Sequence, residues 1–409
     1  MPAQPQTQRP WAAIASVTVL TLPLGSIYAF SVFLKPIEAE LGIPRSALSF
    51  VFGLATVGFT VGMNLAPMLY RLASPGVLIM TNAVIAALGI EMASRANGLP
   101  MLLLGYSVVF GISGGTIFII LQQAVNLLVR TRTGLLNGYV LGLYPMGAMI
   151  AAPVFGWSNE LHGYRVTLEG LAVALLVFGI ASTWLTIHAG AILPTRASIR
   201  YDARAERNTA ITIRLCIVFF LAAAAGLTVL SQAVGIIAAY GGATAMALWA
   251  TTGITAVIAC GRVSGGWLVD RFLVPFVSAG AHIAALAGTI ILSIWPSPAT
   301  AVLALVMIGA GYGLVSGSTG GAVAVYWPKA MYGIIASRIY IAWCVAAVTL
   351  PVLAGHLFDL TGGYRTAILI AGCGNLLGCI VALGLPRRRM GQLAEKPEDP
   401  GQPVMRSAA

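Results

Sequence analysis

The sequence predicts an all-α membrane protein of twelve transmembrane helices in two pseudo-symmetric six-helix bundles, with the N and C termini cytoplasmic. Three observations carry that expectation. Of 409 residues, 58% are apolar and only 9% charged, at a mean hydropathy of +0.90, so lipid rather than water is the natural solvent. Apolar runs of spanning length recur between short polar breaks, and the second half of the chain repeats features of the first. A hydrocarbon core about 30 Å thick takes roughly 20 apolar residues as a helix, because backbone groups in lipid must be satisfied within the segment. The alternation expected of barrel strands is absent.

In chain order, the first run, 11–34, follows a short head carrying Arg9. It is too long, and too poor in small residues at its end, for a cleaved leader, and is expected to stay in the membrane. Runs at 47–70, 76–95, 99–128, 134–157 and 166–189 complete an N-terminal bundle, 1–190. A cytoplasmic linker, 191–212, leads to runs at 213–239, 243–269, 275–295, 299–326, 333–358 and 366–386, the C-terminal bundle of 213–386. The tail, 387–409, is rich in Pro, Glu and Gln and is expected to be disordered.

The net charge of +11 follows the loops rather than forming a nucleic-acid face. With the N-terminus inside, 17 of the 23 basic residues fall on the cytoplasmic side and five outside (Lys35, Arg45, Arg95, Arg165 and Arg365), as the positive-inside bias requires. Cys216, Cys260, Cys344, Cys373 and Cys379 all lie within apolar runs, and the four histidines are scattered. Neither pattern holds a metal, and there is no phosphate-binding glycine loop, so no cofactor, metal or ATP drive is expected.

The repeat is legible in particular residues. Tyr70-Arg71 after the second run aligns with Asp270-Arg271 after the eighth, and Gly163-Tyr164-Arg165 recurs as Gly363-Tyr364-Arg365. Parallel repeats of this kind put a substrate site at mid-membrane between halves that rock. Clustered glycines, such as Gly111, Gly114 and Gly115 or Gly309, Gly311 and Gly313, suit close helix packing and sliding interfaces alike.

Gly266-Trp267-Leu268-Val269-Asp270-Arg271-Phe272 resembles the G-x-L-x-D-R-x loop of the major facilitator superfamily. Gly266, Asp270 and Arg271 are thereby implied as a conformational loop motif, whose first-half copy has Tyr70 in place of the aspartate. More narrowly, Tyr28-Ala29-Phe30, Arg262 eight residues before Asp270, and Tyr340-Ile341-Ala342-Trp343 resemble the oxalate/formate antiporter and monocarboxylate porter branch. Trp343 stands where the antiporters carry a lysine, and Ile258 where the porters carry an aspartate. The resemblance implies a secondary transporter, not an enzyme, with Arg262, Tyr28, Tyr340, Trp343, Tyr312 and Phe118 as substrate-binding residues.

Arg262 carries the chemistry. It sits about 12 Å from the cytoplasmic end of its run at 1.5 Å per residue, close to mid-bilayer. An arginine there costs about 2.5–3.5 kcal/mol, which favours a wet cavity or a partner. Its planar fork of donors matches a carboxylate. The alternative is a structural bond to backbone carbonyls or to an acid from another run. The aromatics have the same two readings, cavity wall or packing; so have Gln122, Gln123 and Asn126, inner vestibule or helix-to-helix bonds. One cation implies a monoanion, most simply a monocarboxylate, moved by exchange or symport through a monomer in the bacterial inner membrane. The expected partners are thus a small anionic substrate and the lipid bilayer. An exporter of drugs or other amphiphiles would want a G-P-x-x-G-G ending in the fifth run, which reads Gly142-Leu143-Tyr144-Pro145-Met146-Gly147. A sensor or scaffold would want an appended domain, and the polar segments are too short to fold alone.

Overall fold

The computed structural model describes residues 8–194 and 209–388. The expected linker and tail lie largely outside the described residues, with Arg196, Arg200, Arg204, Arg207, Arg389, Lys396 and Arg406. All regular structure among the described residues is helical, and eleven helices are long and apolar enough to cross a membrane.

Helix α1 (Pro10–Leu24) opens on proline, whose missing N–H is harmless in a first turn. Pro23 in its last turn cannot donate to the helix ladder, and the chain tightens into a 3-10 helix, Gly25–Phe33, before α2 (Leu34–Leu41). The run expected as one helix is thus three segments, with Tyr28 in the tight middle one. That segment packs closely on the backbone of Tyr144, whose carbonyl oxygen would lie 2.5 Å from a Cβ at Gly25.

Helices α3 (Arg45–Leu69) and α4 (Pro75–Ser94) follow. The short α5 (Leu99–Leu102) passes through a π-helical stretch, Leu103–Phe110, into α6 (Gly111–Leu128). Helix α7 (Thr133–His188) has 56 residues, about 84 Å at 1.5 Å per residue and far beyond one bilayer crossing. It breaks at Gly163, whose φ of 82° is left-handed and suits glycine. Across the bend the Thr167 hydroxyl donates to that of Ser158 at 2.7 Å, so the two limbs turn back on each other.

Helices α8 (Thr209–Ala239), α9 (Thr244–Val269), α10 (Val274–Ile294) and α11 (Pro298–Tyr326) follow, then a 3-10 turn, Lys329–Met331. The run expected at 333–358 divides at Thr349 into α12 (Tyr332–Val348) and α13 (Leu350–Thr361), because Pro351 opposes the carbonyl one turn earlier. Helix α14 (Arg365–Leu383) is the last helix among the described residues.

Two features of the packing position the site. Helix α9 is gripped between α7 and α11, where Cβ atoms added at Gly138 and Gly317 would stand 2.3 and 1.8 Å from the Arg262 carbonyl oxygen. Glycine at both positions lets three backbones meet at the level of that arginine. The rim, by contrast, is apolar and open, with exposed tryptophans at helix ends. Trp11, Trp184 and Trp267 lie towards one end of the bundle, and Trp157, Trp249 and Trp295 towards the other, as interfacial belts require.

Candidate functional site

Arg262 is only 5% exposed, deep between α7, α9 and α11. Its Nη1 donates to the Leu141 carbonyl oxygen at 2.9 Å and its Nη2 to the Tyr312 hydroxyl at 3.0 Å. Trp343 Nε1 donates to the same Tyr312 oxygen at 3.1 Å. A phenol that accepts twice keeps its own proton free to donate, so Tyr312 passes donor character from the guanidinium and the indole to one further group. Tyr28 is half-buried, with its hydroxyl close enough to the guanidinium to interact with it. Its ring stands edge-on to Tyr144 and Trp343, at 6.2 and 6.4 Å between centroids.

Among the described residues no carboxylate balances this charge. The ion pairs among the described residues are Arg95–Glu91 and Arg165–Glu40, neither of which involves Arg262. The Arg262 Nε is buried with no hydrogen-bond partner, and so is the Tyr144 hydroxyl. A backbone carbonyl and a phenol therefore hold the guanidinium in place without neutralising it, leaving a net positive centre in a low dielectric.

Both residues line one small cavity, together with Phe59, Met63, Phe118, Leu141, Phe219, Tyr312, Ser316, Tyr340 and Trp343. The structure thus brings Arg262, Tyr312, Tyr340, Trp343 and Phe118 around a single void, while Tyr28 stands behind it against Tyr144 and Trp343. Phe59, Tyr144 and Phe219 were not anticipated. Tyr144 carried the same signal as Tyr28 and Tyr340, a phenol in mid-run that needs a partner. The two phenylalanines carried none, since an aromatic in an apolar run looks alike whether it faces lipid, core or cavity. The rings form a continuous wall: Phe118 to Tyr144 at 5.2 Å, Phe59 to Tyr144 at 5.4 Å, Phe118 to Tyr340 at 5.9 Å and Phe219 to Tyr340 at 6.0 Å.

Beyond the cavity, at the Trp267 end, bonds tie the first part of the chain to the second. Asp270 Oδ1 and Oδ2 accept from the backbone N–H groups of Gly134 and Leu135, each at 2.8 Å. These are the free donors at the start of α7, so a carboxylate caps a helix N-terminus across the molecule. Gly266 serves the same junction, since its Cβ would meet the Gly134 carbonyl oxygen at 2.1 Å. Arg271 takes no part in it and stacks 3.9 Å over the Trp267 ring. At the first-half position Tyr70 is buried with its hydroxyl unpartnered. There Gln123 serves instead, accepting from Gly333 N–H at 2.7 Å and donating to the Lys329 carbonyl oxygen at 2.9 Å. Gln122 donates to the Tyr332 hydroxyl at 3.1 Å, and Asn126 and Asn137 exchange paired amide bonds at 2.8 Å. These amides bond helix to helix, the second of their two readings.

The profile of the Major Facilitator Superfamily matches residues 17–351. Monocarboxylate transporter 13 of Rattus norvegicus is 25% identical over 382 residues, covering 89% of this chain and 86% of that one. The uncharacterized MFS-type transporter YhjX of Escherichia coli is 24% identical over 172 residues, which is 41% of this chain and 43% of YhjX. Among solved structures, the proton:xylose symporter XylE bound to 6-bromo-6-deoxy-D-glucose aligns with a TM-score of 0.74 at 14% identity, covering 94% of this chain and 98% of that one. FucP in the outward conformation aligns with a TM-score of 0.69 at 16% identity, covering 91% of this chain and 98% of that one. The chain belongs to the Major Facilitator Superfamily of membrane transporters, with its resemblance running to the monocarboxylate transporters.

Proposed function

We propose that this transporter is a secondary carrier of small organic anions, monocarboxylates above all, with Arg262 as the carboxylate-binding residue. The observation that carries the proposal is the unneutralised guanidinium on the central cavity: buried, fixed by Leu141 and Tyr312, with Nε unpartnered and no acid within ion-pair distance among the described residues. A carboxylate entering there gains a charged donor fork and the free O–H of Tyr312 in a site of low dielectric. A second carboxylate on the same ligand would find no second cation among the lining residues, which disfavours dicarboxylates. The name of the rat relative points to the same substrate class.

Counting α7 as two spans joined at Gly163 makes twelve crossings, and the positive-inside bias then puts both termini in the cytoplasm of a bacterial inner-membrane protein. On this reading residues 1–190 and 213–386 rock about the cavity. The Asp270 and Gln123 bonds seal the cytoplasmic side, and the described conformation is the outward or occluded one. Uptake of labelled monocarboxylates into proteoliposomes tests the function. Wild type should accumulate label, and Arg262→Ala should lose at least nine-tenths of the rate, about a tenfold drop for 1.4 kcal/mol. Equal uptake by the two proteins would remove Arg262 from the mechanism.

A further inference from the structure

The two parts of the chain also meet where α6 ends and α12 begins. The backbone N–H of Gly333, second residue of α12, is one of the donors that a helix start leaves free, and the Gln123 side-chain oxygen accepts from it at 2.7 Å. The same amide, fully buried, donates to the Lys329 carbonyl oxygen at 2.9 Å. In return the Lys329 ammonium donates at 2.8 Å to the carbonyl oxygen of Val129, the residue that closes α6. A cation is favoured at a helix C-terminus, so each side of the junction caps the helix end of the other. Tyr70, at the position aligned with Asp270, reaches the same place, since its hydroxyl oxygen would lie 2.3 Å from a Cβ at Gly333, but it makes no hydrogen bond there. The phenol does not do for α12 what the Asp270 carboxylate does for α7. Arg130 stands close enough to Lys329 to repel its ammonium, so a like charge opposes the tie.

Building on the rocking of residues 1–190 against 213–386 proposed above, we propose that Gln123 and Lys329 form a single latch and act as positioning residues for transport. Gln123 fixes the backbone of Lys329, and that placement holds the ammonium on Val129 against the repulsion of Arg130. Closing this side makes both caps and opening it breaks both, so the latch sets the resting balance between the two orientations. At the α7 junction a carboxylate does this work; here a neutral amide and a lysine share it, because the aligned position holds Tyr70.

The test uses the purified full-length protein in lipid nanodiscs, with spin labels carried by non-natural amino acids at the exposed positions of Arg71 and Arg338, one in each part of the chain. Wild type should show a short and a long distance. Gln123→Leu removes the acceptor and the donor together, and the long-to-short ratio should rise about three- to tenfold, as the loss of one or two hydrogen bonds allows. Lys329→Met should raise it about three- to fivefold. Because Gln123 positions Lys329, the double variant should exceed the larger single effect by less than about twofold, where independent bonds would multiply. Gln123→Glu keeps the acceptor for Gly333 and should return the ratio to within about twofold of wild type, a recovery that damaged packing would not show. A ratio unchanged in both Gln123→Leu and Lys329→Met, or a Gln123→Glu no nearer wild type than Gln123→Leu, would overturn the latch. Effects that multiply in the double variant would overturn its acting as one unit. A single distance in wild type, unmoved even by Asp270→Asn, would instead remove the rocking on which the proposal rests.

Discussion

Tyr312 joins the charge of Arg262 to the rest of the site. Its oxygen accepts from the guanidinium at 3.0 Å and from the Trp343 indole at 3.1 Å, so Tyr312→Phe strips two buried donors of their acceptor at once. We expect a stability loss of about 1–3 kcal/mol, seen as a lower melting temperature, and a weakening of anion binding by about tenfold. Arg262→Lys keeps the charge but exchanges a planar fork for a point charge, which cannot hold the Leu141 carbonyl and the Tyr312 hydroxyl as the fork does. Transport by that variant should fall nearly as far as in the alanine variant when labelled uptake is compared; recovery to wild-type rates would show that charge alone suffices. Arg262 was legible in the sequence because an ionisable residue in an apolar run stands out. Leu141 was not, because its contribution is a backbone oxygen that the fold of α7 delivers.

At the scale of the elements, the tightest contacts are backbone approaches at glycine. Helix α11 meets α9 where a Cβ at Gly317 would sit 1.8 Å from the Arg262 carbonyl oxygen. Gly317→Ala should therefore push the helices apart and destabilise the protein by about 1–3 kcal/mol, read as a fall in melting temperature in detergent. Asp270 acts on a different junction, capping α7 through Gly134 and Leu135. Asp270→Asn weakens a charge-to-helix bond worth about 1 kcal/mol, so the population open at this junction should rise about fivefold in spin-label distances measured between the Thr133 and Asp270 ends. Helix existence was legible because apolar length has a physical standard in the bilayer. The interruptions within helices were harder to foresee. Pro23 and Pro351 are visible in the sequence, yet proline in a membrane helix is tolerated with or without a break. Neither the 3-10 turn at Tyr28 nor the division at Thr349 follows from composition.

For the whole molecule, the pseudo-repeat anticipated a central site between the two parts of the chain, and the cavity lined from α3, α6, α7, α8, α9, α11 and α12 lies at such a junction. Its aromatic wall was only partly anticipated, because a sequence shows that Phe59 and Phe219 are apolar but not which way they face. The topology itself is testable: a fluorescent protein fused to the C-terminus should light up, and alkaline phosphatase fused there should stay inactive, the reverse result placing the C-terminus outside. The central claim, an unneutralised guanidinium awaiting an anionic guest, is tested most directly by thermal stabilisation with a graded panel of monocarboxylates. Wild type should gain melting temperature as ligand rises past its dissociation constant, and Arg262→Ala should gain none at the same concentrations. Equal stabilisation of the two proteins would contradict the account.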